Sequence, residues 1–159
     1  DSAVVRIEKP KARQGDFLFS PTWEIAMTEK AAGLLSRITD AVGELLPMKT
    51  RNGEKLYLLN VGPAIDCIDH ARTRGERLPG GNYLHVDRYE FNCAALPEVS
   101  LFRAAEECSV FAIQGSAAPD MDFKGTVERL GLRGLRFLEV WNDDGDPVAE
   151  IKFLESTLG

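Results

Sequence analysis

Cys67 and His70 stand three residues apart, and His85 and Cys93 follow, so a zinc centre with two thiolate and two imidazole ligands can be drawn. The spacing is poor for that chemistry. No paired CxxC or HxxxH occurs, Cys67 lies between Ile65 and Ile68, and Cys93 sits in an NCAAL stretch typical of buried packing. Both thiols read as core side chains behaving as small hydrophobes. A thiol nucleophile at Cys67 or Cys93 would need His85 as its base and a third orienting group. Asp66 and Asp69, with Glu24 and Asp87 elsewhere, offer carboxylates for metal or acid–base work. Joined to His70 and His85, Asp66 and Asp69 would be the working residues of a small metal-dependent hydrolase. Early in a helix, however, the same i,i+3 pair is favoured by the macrodipole alone, and this structural use outweighs contact with a partner. The glycines of LPGGN, at 78–82, lack the strand-before, helix-after context of a phosphate loop and read as a surface turn.

The charge most suited to a partner is acidic. Asp143, Asp144 and Asp146 fall in a stretch from Glu139 to Glu150 without a basic residue, and Glu98, Glu106, Glu107, Asp120 and Asp122 make the preceding region acidic as well. Glu106, Glu107, Asp120, Asp122, Asp143, Asp144 and Asp146 are therefore the candidate partner-binding residues. Such a surface accelerates capture of a basic protein and can mimic phosphate charge inside a nucleic-acid-binding cleft. Trp23 and Trp141 would suit a binding centre, but each ends an apolar run and reads as core.

The elements that must position these groups follow from the local pattern. Residues 1–15 read as an edge strand and a loose linker, an N-terminal arm rather than part of the core. After a short apolar run at 17–20 and a strand at 23–27, Thr28 caps a helix whose stripe is Ala31, Ala32, Leu34, Leu35 and Ile38, ending near Asp40. Residues 44–48 and 55–60 form a hairpin about Asn52-Gly53. Pro63 opens a short helix through Ile68, residues 72–81 are a charged loop, and 83–91 is a strand. Further strands lie at 101–103 and 110–113, and Asp120 or Asp122 caps a helix holding Phe123, Val127 and Leu130. Gly131 and Gly134 break it before a last strand at 135–141. Asp143 to Pro147 is a turn, and residues 148–154 read as a strand or helix. The class is α+β: one domain at 16–141, largely antiparallel sheet with two or three helices packed on it, flanked by the arm and by an acidic extension at 142–159.

Composition sets the outer bounds. At 159 residues, 44% hydrophobic and 28% charged, the chain suits one soluble globular core. No apolar run approaches the roughly 20 residues of a membrane span, and the first residues lack a signal-peptide core. The three cysteines have no repeated spacing, which argues for reduced thiols and a cytoplasmic setting. A net charge of −6 disfavours nucleic acid as a partner.

A run of phrases in fixed order adds a specific expectation. GELLPM (43–48), YLLNV (57–61), CID (67–69), YEF (89–91) and GLRGLRFLEVW (131–141) occur in that succession. Together they resemble a family of small bacterial immunity proteins encoded beside polymorphic secreted toxins, across about residues 17–141. The resemblance implies a cytoplasmic protein that neutralises a cognate toxin by binding, with no catalysis and no cofactor; the net charge makes a basic toxin the expected partner, and the ligand spacing argues against a metal. Against the family pattern, the lead before the matching region is short and the tail after Trp141 is additional. A homo-oligomeric scaffold is a third reading, beside the immunity protein and the hydrolase.

Overall fold

The computed structural model describes residues 3–8, 15–18, 24–51, 53–107, 109–115, 118–145 and 148. The chain runs through β1 (Ala3–Glu8), β2 (Phe17–Leu18), β3 (Ile25–Thr28), α1 (Glu29–Leu34), α2 (Ser36–Val42), β4 (Gly43–Lys49) and β5 (Lys55–Val61). It continues with β6 (Ala64–Ile65), β7 (Arg74–Arg77), β8 (Tyr83–Arg88), a 3-10 turn (Cys93–Ala95), β9 (Leu101–Ala104), β10 (Val110–Gln114), α3 (Phe123–Arg129) and β11 (Arg136–Asn142). The result is a single α+β domain, as the sequence pattern predicts. Its strands form a five-stranded sheet ordered β11-β1-β10-β9-β6, a four-stranded sheet ordered β2-β3-β5-β4, and the ribbon β7-β8. No helix among the described residues is long and apolar enough to cross a membrane.

The five-stranded sheet is covered on both faces. Along β10, Val110 and Ala112 point into one hydrophobic cluster while Phe111 and Ile113 point into the other, and all four are buried. A strand covered on both sides reads as a continuous apolar run instead of an alternating one, which is what VFAI is. The first cluster lies between this sheet, the four-stranded sheet and the helices, and includes Ile25, Met27, Leu35, Ile38, Leu59 and Phe123. The second is aromatic: Phe111 packs edge-on against Tyr89 and Phe91 at ring separations of 5.3 and 5.5 Å and stacks on Phe102 at 5.4 Å. The register of β1 against β11 shifts between Val4 and Val5, so that Val4 faces Trp141 and Val5 faces Glu139. This bulge leaves Val140 as the extra residue and turns both Val140 and Trp141 into the second cluster.

Three local expectations are corrected. Residues 3–8 are an interior strand, hydrogen-bonded to β10 on one side and β11 on the other, not an edge or an arm. Their lysine-rich sequel at 9–14 masks, at the level of composition, how apolar AVVRI is. Residues 63–68 form no helix. Ala64 and Ile65 pair in parallel with Arg103 and Ala104, Ile68 bridges Phe91, and the Cys67 carbonyl accepts from the Asn92 N–H at 2.9 Å. Those long-range partners satisfy the backbone groups that a helix would have used internally. Residues 74–77, expected as loop, pair antiparallel with β8.

The helix expected from Thr28 to near Asp40 is broken at Leu35 into α1 and α2, and Leu34 of its stripe is exposed. Other expectations hold. The Thr28 hydroxyl accepts from the Ala31 N–H at the start of α1, and β4 pairs with β5 across a turn in which Gly53 has φ of 82°. Asn52, the other half of that turn signal, lies outside the described residues, as do Trp23, Cys108 and nearly all of 146–159. Asp122, of the two proposed caps, accepts from Gly125 N–H at 3.1 Å at the head of α3. Gly134 has φ of 108°, and a Cβ there would sit 2.4 Å from the Phe17 carbonyl oxygen. Only glycine allows β2 to lie so close to the chain entering β11.

Asp16 ties the same junction electrostatically. Its carboxylate accepts from the Arg133 backbone N–H at 3.0 Å and from the Lys30 ammonium at 3.1 Å, while its carbonyl accepts from the Thr28 N–H at 2.9 Å. Burial by itself would raise its pKa, but the Arg133 hydrogen bond and the Lys30 charge outweigh it and hold the group below its ordinary 3.8. A carboxyl depressed on folding stabilises the fold above its unfolded pKa, and that contribution is lost as pH falls through the lower folded value. Asp16→Asn is therefore expected to be less stable at neutral pH and to lose less stability than the parent between neutrality and pH values below 3.8, measured by urea denaturation across pH. In the aromatic cluster, Phe111→Ala is expected to cost about 3–5 kcal/mol, read as a lower denaturation midpoint at unchanged slope.

Candidate functional site

Among the described residues, two places that collect groups able to act on something else lie at opposite ends of β9. At the beginning of that strand, where β10 and β11 end, Ala41 and Val42 of α2, residues 96–100, Ile113, Ala118, Met121, Trp141 and Asp143 enclose a half-open cleft of about 550 Å³. This falls within the ordinary range of about 300–1,000 Å³ for ligand pockets. Its floor is apolar, with Ile113 and Trp141 continuing the second core cluster to the surface. Glu98 and Asp143 bring carboxylates to it, and both residues are exposed. Ser100 is 2% exposed, and its hydroxyl has no hydrogen-bond partner among the described residues. A buried hydroxyl without a partner costs on the order of 1–3 kcal/mol, so a group entering the cleft and bonding to it would recover that cost.

At the other end of β9, the loop after β6 meets the turn at 105–107. His70 Nδ1 lies 3.0 Å from the Tyr83 hydroxyl, while Nε2 faces Glu106 Oε1 at 3.5 Å and Asp66 Oδ1 at 4.0 Å. Glu106 Oε2 is buried without a hydrogen-bond partner among the described residues. Backbone hydrogen bonds fix this turn. Ala105 N–H donates to Ile65 O at 2.9 Å and Tyr83 N–H to Glu106 O at 3.0 Å.

The seven acidic residues singled out from sequence do not share one face. Glu107 accepts from the Tyr89 hydroxyl at 3.1 Å and from the Ser109 N–H at 3.3 Å, a structural use inside the turn. Asp122 is the cap of α3, and Asp120 forms an exposed ion pair with Arg37 of α2. Glu106 belongs to the His70 cluster, whereas Asp143 and Asp144 are exposed in the turn after β11. Asp146 lies outside the described residues.

The hydrolase set is also divided. Asp69 accepts from the Ala71 and Arg72 N–H groups at 3.0 and 3.2 Å, so its carboxylate closes a turn. His85 faces Glu76 at 3.8 Å and Asp87 at 3.7 Å on the β7-β8 ribbon. Of Asp66, Asp69, His70 and His85, Asp66 and His70 come within ligand reach of one another together with Glu106, Asp69 lines the same surface pocket, and Tyr83 completes the surroundings of His70. Glu106 stands 36 residues from His70 in sequence, a separation that no short motif spans. Trp141 is buried at 7% exposure, as expected, yet its edge also floors the cleft.

The cysteines separate in the same way. Cys67 is buried, in agreement with the sequence reading, and Cys93 is exposed, in contradiction to it. The 3-10 turn is the reason: Asn92 caps it through the Ala94 N–H at 3.2 Å and holds Cys93 on the outer side. Burial pushes the Cys67 thiol up to about 12, and the Glu106 and Asp66 carboxylates add to the effect. Since the thiolate is the reacting form, brief treatment of the native protein with iodoacetamide at pH 8 is expected to label Cys93 and spare Cys67. Peptide mass mapping reads this, and Cys67 should become labelled only after denaturation. In comparison with known proteins, no family model matches the chain and no curated protein matches it.

Proposed function

We propose that this chain is a non-catalytic binding protein of the immunity type, which captures a basic cognate toxin in the cytoplasm and blocks it by occlusion. The observation that supports this most is the cleft at the head of β9. It unites an apolar floor of Ile113, Met121 and Trp141 with the buried hydroxyl of Ser100, which has no hydrogen-bond partner among the described residues, and the carboxylates of Glu98 and Asp143. Binding hot spots have this composition: a desolvated pocket that takes one anchoring side chain, ringed by groups that exclude water. An arginine suits the cleft on both counts. Its aliphatic stem would cover the floor while the guanidinium, which only donates hydrogen bonds, would meet two carboxylates and a hydroxyl oxygen. A net charge of −6 would add long-range attraction to a basic protein. The ordered GELLPM, YLLNV and GLRGLRFLEVW phrases point to the same class of protein.

The test is titration calorimetry with the protein encoded beside this one, together with an assay of that partner's activity at equal molarity. A one-to-one complex in which the partner's activity is lost is the expected result. Glu98→Lys with Asp143→Lys should weaken the complex by about tenfold or more, chiefly through slower association that loses its salt dependence. A complex untouched by the double charge reversal would remove the cleft from the interface. Failure to form any complex would sink the immunity reading itself.

A further inference from the structure

His70 is gripped from both sides in a way that packing alone does not call for. Its two contacts to carboxylates, 3.5 Å to Glu106 and 4.0 Å to Asp66, are long for hydrogen bonds. The Glu106 contact matches two ligands of one small cation, since tetrahedral bonds of about 2.1 Å place neighbouring ligand atoms about 3.4 Å apart; the exposed Asp66 carboxylate would close in to join them. One ligand atom from each of Asp66, His70 and Glu106 falls within 4.8 Å of the others.

Two further observations are independent of that spacing. Glu106 Oε2 is buried with no hydrogen-bond partner among the described residues, a costly state for a carboxylate unless a cation compensates it. On the far side of the ring, the Tyr83 hydroxyl meets Nδ1 at 3.0 Å, and Tyr83 is itself 9% exposed. When Nδ1–H donates to that oxygen, the Nε2 lone pair points at Asp66 and Glu106. Three acceptors then converge. An outer partner of this kind on the second ring nitrogen is the usual support of a metal-bound histidine. The backbone bonds from Ala105 and Tyr83 that pin the Glu106 turn mean that two of the three elements are already in place.

We propose that Asp66, His70 and Glu106 form a zinc site, with Tyr83 orienting the imidazole and a fourth position open to water. An imidazole with two carboxylates favours zinc over magnesium or calcium, and the two negative charges match the ion's two positive ones. The site is separate from the proposed toxin-binding cleft and does not depend on it. It also differs from the two-cysteine, two-histidine set drawn from sequence, since only His70 is common to both.

Equilibrium dialysis of the chelator-treated full chain against zinc chloride, read by elemental analysis, tests the assignment. One zinc per chain is expected, with a rise in melting temperature on zinc addition. His70→Ala and Glu106→Gln should abolish retention, and Tyr83→Phe should weaken it by about tenfold while keeping the ring's packing. Cys93→Ser should retain the metal, which separates this site from adventitious capture by an exposed thiol. Absence of stoichiometric zinc in the parent overturns the proposal, as does retention that survives Glu106→Gln in a variant with a parent-like circular dichroism spectrum. Loss of zinc in Cys93→Ser alone would assign the binding to the thiol and overturn it equally.

Discussion

Burial of β10 on both faces is the constraint from which the rest of the molecule follows. Val110 and Ala112 commit one face to the helices and the four-stranded sheet, and Phe111 and Ile113 commit the other to the aromatic cluster. Neither cluster can be removed without exposing half of this strand. Because the strand cannot sit at an edge, it needs partners on both sides, and β1 and β9 supply them. The beginning of the chain is thereby placed in the middle of the sheet. β1 in turn pairs with β11, so residues at the two ends of the described chain become neighbours in one ladder.

The same arrangement explains why the candidate sites lie where they do. A strand buried on both faces offers little of its own side chains to solvent, so polar chemistry is displaced to its ends and to those of its neighbours. At one end of β9 the sheet stops against α2 and the loop before α3, which leaves the cleft with the buried Ser100 hydroxyl. At the other end, the turn at 105–107 carries Glu106 against His70 and Glu107 against Tyr89. Adjacent acidic residues thus acquire different uses: Glu107 satisfies donors within its own turn and beneath it, whereas Glu106 keeps one buried oxygen unpartnered among the described residues. Exposed ion pairs such as Arg37–Asp120, with half or more of each side chain in water, add little to this and orient more than they stabilise.

The residues from sequence alone determined the elements whose causes are local. Thr28 as a cap, the Gly53 turn between β4 and β5, an aspartate cap at 120 or 122 for α3 and the glycine break before β11 all follow from contacts within a few residues. The apolar run VFAI likewise announces a buried strand. What only the tertiary structure decided were the pairings between distant segments. AVVRIE became an interior strand because β10 and β11 claimed both its edges, and residues 63–68 gave up a helix because β9 and Asn92 took their backbone groups. The assembly of Asp66, His70, Tyr83 and Glu106 and the enclosure of Ser100 belong to the same category. Local propensity is worth tenths of a kcal/mol per residue, whereas burial and hydrogen bonding between remote segments are worth whole kcal/mol, so the remote terms prevail wherever the two conflict.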